Sequence, residues 1–217
     1  MTIPRIMHQI WIGDEPPADV LRWRATVLAQ HPTWEHHFHR DTSAFAHPDL
    51  DPELSAALRE AEIRVTTYQT KHHPLALVAD LLRMTLLWLY GGVYLDLDME
   101  CVKPLDDLLD RDLLLVSSSL CNPDIFLMGA PPRSPTIMTI LRRIMAARPV
   151  PGPVGKMLMM NCLPPLREEL DLHALPAEWA CPFDRQGRGS VTENTHAIHH
   201  WYRDGAGRDE GTGTWVG

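Results

Sequence analysis

The stretch from Leu75 to Asp98 constrains the fold more than any other. Leu75 to Tyr90 is apolar almost all round, which predicts a helix buried on most of its sides. Gly91 and Gly92 stop it, as glycine does at helix C-termini. Val93 to Leu97 follows at once, and its β-branched and aromatic residues predict a short strand. A buried helix turning straight into a buried strand belongs in a layered α/β domain.

Charged residues inside such a run need an explanation. Asp80 and Arg83 lie three apart, so they share a helix face. Burying them is costly unless they are paired. Two readings stand: an internal salt bridge that orients the helix, or a face lining a polar cleft for ligand hydroxyls or phosphate. Asp96 and Asp98 close the strand, and residues i and i+2 of a strand point to the same side. Two carboxylates held together raise each other's pKa unless a cation lies between them. Mg²⁺ or Mn²⁺ suits such oxygen ligands and keeps positions open for substrate phosphates. The rival reading is a solvated turn with two acids.

The opening of the chain reads β-α-β. Ile3 to Ile12 is a buried strand ending at Gly13, Val20 to Gln30 a helix, and Trp34 to His39 a second strand, a pattern that gives a parallel sheet. Further along come a short helix at Leu54 to Ala61, a strand at Leu113 to Ser117 and a helix at Ser134 to Ala147. Many of the 19 prolines lie after residue 130 and predict loops from Pro149 onward. The organisation expected is one domain over 1–204 and a glycine-rich tail over 205–217.

A net charge of −8 with no Lys/Arg cluster argues against nucleic acid as a partner. An acidic chain that binds an anion must use local devices such as a metal ion, an arginine or a helix N-terminus. The four cysteines, Cys101, Cys121, Cys162 and Cys181, form no C-x-x-C pair. They read as free thiols, and cytoplasmic placement is expected. The apolar opening is too short and too interrupted for a secretory signal, and no stretch reaches the roughly 18 apolar residues of a membrane span. Peripheral membrane contact stays open.

The run from Asp80-Leu-Leu-Arg83 through Tyr90-Gly-Gly-Val-Tyr-Leu-Asp96-Leu-Asp98 resembles the sugar-binding D-x-D region of glycosyltransferase family 32. Ile3-Pro-Arg-Ile-Met-His-Gln-Ile-Trp-Ile-Gly13 is similar to that family's first strand, and His31-Pro-Thr-Trp34 to its N-P-x-W segment. Ala197-Ile-His-His-Trp201 is similar to its closing A-x-H-x-W motif. Gly152-Pro153 is a weaker match to a G-P loop near the acceptor. The chain departs from the pattern at Leu97, where a small polar residue is common, at Ala79, where serine is common, and at Thr214-Trp215, displaced from the closing motif by a glycine-rich stretch.

The resemblance implies a Rossmann-like GT-A fold with a mainly parallel central sheet and a UDP- or GDP-sugar donor. It implies Mn²⁺ or Mg²⁺, and transfer of a hexose or N-acetylhexosamine to a glycan or small-molecule hydroxyl with retention of configuration. Trp11 would stack on or beside the base, the alternative being a plain core tryptophan. Asp80 would bind donor hydroxyls, and Arg83 the sugar, the phosphate or an Asp partner. Tyr94 would pack under the site, with plain core packing the alternative. Asp96 would hold ribose and the metal's shell, and Asp98 the metal directly. His199 would complete the metal or diphosphate site, the alternative being a surface histidine. Asp124, after Asn122-Pro123, reads as a turn acid that could also touch substrate.

Two other functions are weighed. In a D-x-D phosphohydrolase the first Asp would be a phosphorylated nucleophile, but that motif opens its domain, and here a long buried helix precedes it. A nucleotide-sugar or carbohydrate binding module would keep the cleft and lack turnover; the intact acids speak against it.

Overall fold

The computed structural model describes residues 2–67, 74–118, 123–146, 168–170, 172–184 and 186–202, and the pairs 207–208 and 215–216. Gly152-Pro153 and most of the 205–217 tail lie outside these residues. Strand β1 is Ile6–Ile10, and helix α1, Ala18–Gln30, leads to strand β2, Glu35–His39. Helix α2, Pro52–Thr67, precedes helix α3, Pro74–Tyr90, and strand β3, Gly92–Leu95. Then come β4 Met99–Cys101, β5 Leu114–Val116, β6 Asp124–Ala130, helix α4 Pro135–Ala146 and β7 Ala197–His199. Gly207–Arg208 and Trp215–Val216 form a separate antiparallel pair, β8 and β9.

The central sheet has the order β2-β1-β3-β6-β5. The β-α-β reading of the opening holds: β1 pairs in parallel with β2 and with β3. β6 and β5 continue the sheet antiparallel. One face carries α2, α3 and α4 over Ile10, Tyr94, Leu115 and Met128; the other is packed around Met7, Val93, Leu95 and Phe126.

The expectation for α3 holds within a residue. Leu81, Leu82, Leu86 and Leu87 are at most 1% exposed, and burial of each such side chain stabilises by about 1.5–3 kcal/mol. Both glycines after it are dictated by space. A Cβ on Gly91 (φ +66) would lie 2.5 Å from the Pro132 nitrogen, and one on Gly92 (φ +96) 2.5 Å from the Ile6 carbonyl oxygen. Any other residue at 92 would push β3 off β1.

The sequence-based boundaries shift elsewhere. α2 starts at Pro52 rather than Leu54, because the Asp51 carboxylate caps the backbone N–H groups of Glu53 and Leu54. It also runs six residues past Ala61. β3 ends at Leu95, so Asp96 lies just past it and Asp98 sits in the turn to β4. β4, β6 and β7 are strands that the sequence reading did not assign.

Candidate functional site

β1 and β3 run parallel with His8 opposite Tyr94, so Trp11 and Asp96 emerge at the same edge of the sheet. Ligands of open α/β sheets bind at the carboxyl ends of the parallel strands.

Asp96 is pinned first by its backbone, whose N–H donates to the Phe126 carbonyl of β6 at 2.8 Å. Tyr94 and Asp96 lie on one side of the chain, and the Tyr94 hydroxyl donates to Asp96 Oδ1 at 2.6 Å. Arg83 reaches the same oxygen from α3 at 3.2 Å and Asp80 Oδ1 at 2.7 Å. Its other terminal nitrogen donates to the Ile125 carbonyl, and the guanidinium lies 4.2 Å from the Tyr94 ring centre. The first of the two readings of the Asp80 and Arg83 pair holds. It is an internal salt bridge, with Arg83 6% and Asp80 13% exposed, and it orients a carboxylate at the sheet edge.

Asp98 is brought round by a turn rather than by strand alternation. Met99 N–H closes the turn on the Asp96 carbonyl at 3.2 Å. β4 then pairs antiparallel with β7, placing Met99 opposite His199. His199 Nε2 lies 3.2 Å from Asp98 Oδ2, and the same oxygen accepts Tyr202 N–H at 2.8 Å. Trp201 makes that reach through φ 56, a left-handed backbone uncommon for a bulky residue. Its ring stacks on His199 at 4.2 Å between centres. His199 is buried, which removes the surface-histidine alternative. Neighbouring His200 instead stacks on Trp23 and bonds Glu100.

The electrostatics follow from burial and neighbours. Burial pushes the Asp96 carboxyl above its ordinary value; Asp98 adds to this, and Arg83, His199 and the Tyr94 hydroxyl oppose it. Burial also acts upward on Asp98, but the His199 imidazolium and the Tyr202 N–H outweigh it and hold that carboxyl low. Burial acts downward on His199, yet Asp98, the Cys181 thiol and Asp96 raise it to about 10. Among the described residues, Asp80, Asp96, Asp98 and Asp124 thus face two cationic groups, Arg83 and His199.

Asp96, Asp98 and His199 each offer one ligand atom, and these atoms all lie within 4.8 Å of one another. Two carboxylates and an imidazole with an excess of negative charge fit a divalent ion.

Trp11 is half-buried at the end of β1, and its indole N–H donates to the Asp14 carbonyl at 2.8 Å. It is therefore not a plain core tryptophan. Tyr94 is buried beneath the site and also part of the core, so its two readings coincide. Asp124 begins β6 rather than ending a turn; it accepts the Ser118 hydroxyl at 2.6 Å and adds to the field on Arg83. The sequence reading missed the Ile125 and Phe126 carbonyls and the Tyr202 N–H, since backbone groups leave no mark in residue identity. The apolar run after Asp124 was the available signal for β6. Cys101 and Cys181 are free and buried; Cys121 and Cys162 lie outside the described residues.

Comparison with known proteins agrees with this geometry. Residues 17–115 match the family described as glycosyltransferase sugar-binding region containing DXD motif. The chain is 26% identical over 144 residues to a mannosyl phosphorylinositol ceramide synthase of Saccharomyces cerevisiae, covering 65% of this chain and 35% of that protein. It is 27% identical over 148 residues to inositol phosphoceramide mannosyltransferase 3 of Schizosaccharomyces pombe, covering 65% and 37%. The chain thus spans little more than a third of the length of the curated relatives it matches. Among solved structures, the PaToxG glycosyltransferase superposes with a TM-score of 0.58 at 14% identity, over 78% of this chain and 70% of that one. The UDP-bound glycosyltransferase domain of the YGT toxin superposes with 0.55 at 9% identity, over 79% and 68%. These likenesses establish the GT-A fold, and the α/β architecture conforms to it. The matched region, just under half of the chain, is similar to the sugar-binding region containing a DXD motif of glycosyltransferases, and the fold is GT-A.

Proposed function

We propose that this chain transfers a hexosyl group from a nucleoside-diphosphate sugar to an acceptor hydroxyl, with retention of anomeric configuration. The observation that carries the reading is the convergence of Asp96, Asp98 and His199 at the sheet edge where Trp11 also emerges. The names of the yeast relatives support mannose as the sugar and an inositol phosphoceramide as the kind of acceptor. The UDP bound in the toxin domain supports a nucleoside diphosphate as the leaving group.

Asp96, Asp98 and His199 would hold Mn²⁺ or Mg²⁺. When bound, the ion supplies Lewis-acid stabilisation of charge on the departing diphosphate. The protein's own groups do the positioning. Arg83 and Tyr94 both engage Asp96 Oδ1, which leaves Oδ2 for a ligand. His199 holds a proton beside Asp98, and deprotonation readies the pair to take up the ion. Asp80, 13% exposed, would accept hydrogen bonds from donor hydroxyls. Arg83 gives its terminal nitrogens to protein oxygens and acts on the donor through Asp80 and Asp96. Trp11 would stack beside the base. The acceptor hydroxyl attacks from the face the diphosphate leaves, and a phosphate oxygen takes its proton.

Among the described residues no helix is long and apolar enough to cross a membrane. With a lipid-borne acceptor, this chain would meet its substrate by peripheral contact with the membrane.

The test is a screen of UDP- and GDP-sugars with Mn²⁺, scoring release of nucleoside diphosphate with and without acceptor. Release from at least one donor, abolished by a chelator, is expected. Release indifferent to chelation, or none from any donor, would overturn the reading. Product anomer by NMR tests retention.

A further inference from the structure

We infer that Arg40 is a positioning residue for the donor: from the end of β2 it clamps the loop after β1 and so holds Trp11 as the platform for the base. The inference rests on the donor-site reading above.

Arg40 directly follows β2, which pairs in parallel with β1, so it stands at the sheet edge where Trp11 emerges. Its guanidinium spans three consecutive residues of the neighbouring loop. One terminal nitrogen donates to the Gly13 and Asp14 carbonyls, each at 3.1 Å. The other reaches the Glu15 carboxylate at 3.2 Å. Asp14's carbonyl is the acceptor that the Trp11 indole N–H also uses. Arg40 and Trp11 therefore hold one oxygen from two sides, and the orientation of the indole depends on a carbonyl that Arg40 fixes.

The loop needs such a clamp. Gly13 has φ +112, a conformation open to glycine and little else, and glycine loses more conformational freedom on ordering than any other residue. Arginine suits the task because its planar fork serves several acceptors at once, which an ammonium on a flexible stem does not. The Arg40 side chain is 33% exposed, which limits what the Glu15 ion pair adds to stability. The value of the contact lies in pre-ordering the loop before a ligand arrives.

A double-mutant cycle separates this role from plain loop anchoring. UDP and GDP binding would be measured by titration calorimetry at saturating Mn²⁺, on wild type, Arg40→Ala, Trp11→Phe and the double variant. Trp11→Phe keeps a ring, so binding stays measurable, but lacks the N–H that meets Asp14. Arg40→Ala is expected to weaken binding about tenfold in the wild-type background and less than about twofold in Trp11→Phe. In turnover it raises the donor KM more than it lowers kcat. Arg40→Lys should fall between, and it serves as the test if Arg40→Ala does not fold. The same loss in both backgrounds, no loss, or no effect of Trp11→Phe overturns the inference while the donor reading stands. Failure of wild type to bind either nucleotide overturns the donor reading itself, and the inference with it.

Discussion

The two ends of β3 both bury polar side chains, and they do so in opposite ways. At its start the Gly91 carbonyl accepts His8 Nε2–H at 2.9 Å, and His8 Nδ1 lies 3.1 Å from His39 Nε2. His8, His37 and His39 lie ring against ring. Burial pushes His8 down to about 3 and His39 to about 4, so both are neutral near pH 7. At its end, Asp96 and Asp98 crowd with Asp80, Arg83 and His199 as charges. Neutral, bonded polar groups are what a core tolerates. Concentrated charge is a poor way to stabilise a fold, because desolvation offsets the attraction. The start of β3 is accounted for by packing; its end makes sense as a place prepared for a charged ligand.

The contrast breaks most sharply if the charged end can be neutralised without loss. Asp98→Asn removes one ligand oxygen's charge and the partner of His199, while keeping the shape. Even partners outside the ligand shell typically contribute 10–100-fold, so turnover with Mn²⁺ should fall by at least about 100-fold. Donor hydrolysis assays check this, with circular dichroism confirming the fold; near-normal turnover would dissolve the distinction between the two ends.

Arg83→Ala comes next. It strips the counter-charge from Asp80 and Asp96 and leaves the Ile125 carbonyl without its donor. Breaking a buried pair from one side costs about 3–5 kcal/mol. Urea denaturation measures it. A loss under about 1 kcal/mol would mean that water already reaches these charges.

The two halves of the charged end were not equally legible in the sequence. Asp80, Arg83, Tyr94 and Asp96 lie within one helix-glycine-strand run, where periodicity and the glycine stop act locally. Asp98 and His199 meet only because β4 pairs with β7, about a hundred residues apart in sequence, and no local pattern encodes that pairing. Only resemblance to a family flagged His199. Strand alternation does not bring Asp96 and Asp98 together, since a turn does that work; it relates Tyr94 to Asp96 instead, a pairing the sequence reading did not draw. β6 stayed hidden because a short apolar run after Asn-Pro fits a strand or a loop exit equally until β3 and β5 flank it. Arg40 gave no signal at all, since two of its acceptors are backbone carbonyls and the third, Glu15, lies 25 residues away in sequence.

The neutral end makes a prediction of its own, in acid. A histidine whose folded pKa is depressed leaves stability untouched above its unfolded value of 6.5. Below that value the unfolded chain takes a proton that the folded one refuses. Stability should therefore fall as pH drops from 6.5 towards 4 for His39 and towards 3 for His8. Each group contributes a slope of about 1.4 kcal/mol per pH unit, so going from pH 7 to 5 should cost about 2–4 kcal/mol. Urea titrations at the two pH values read it, and His8→Asn should flatten the slope. A slope unchanged in that variant would show that His8 takes up protons in the folded state and that the two ends are less different than drawn.

Tyr94→Phe is the smallest change and sits where the two ends share a strand. The ring would keep its place in the core and its position against Arg83, so packing is nearly preserved. Only the hydroxyl bond to Asp96 Oδ1 is lost, and Arg83 still holds that oxygen. Burial holds the tyrosine well above its ordinary pKa, so it serves as a proton donor at any working pH. A hydrogen bond to a charged group contributes about 1.5–3 kcal/mol, and the surviving arginine contact should leave the loss near the lower limit. If Tyr94 only fills the core, Mn²⁺ affinity by calorimetry will match wild type while stability drops. If it sets the orientation of Asp96, Mn²⁺ affinity should fall by about three- to tenfold at unchanged protein concentration and pH. The second outcome would extend the charged end one residue back into β3, and the first would end it at Asp96.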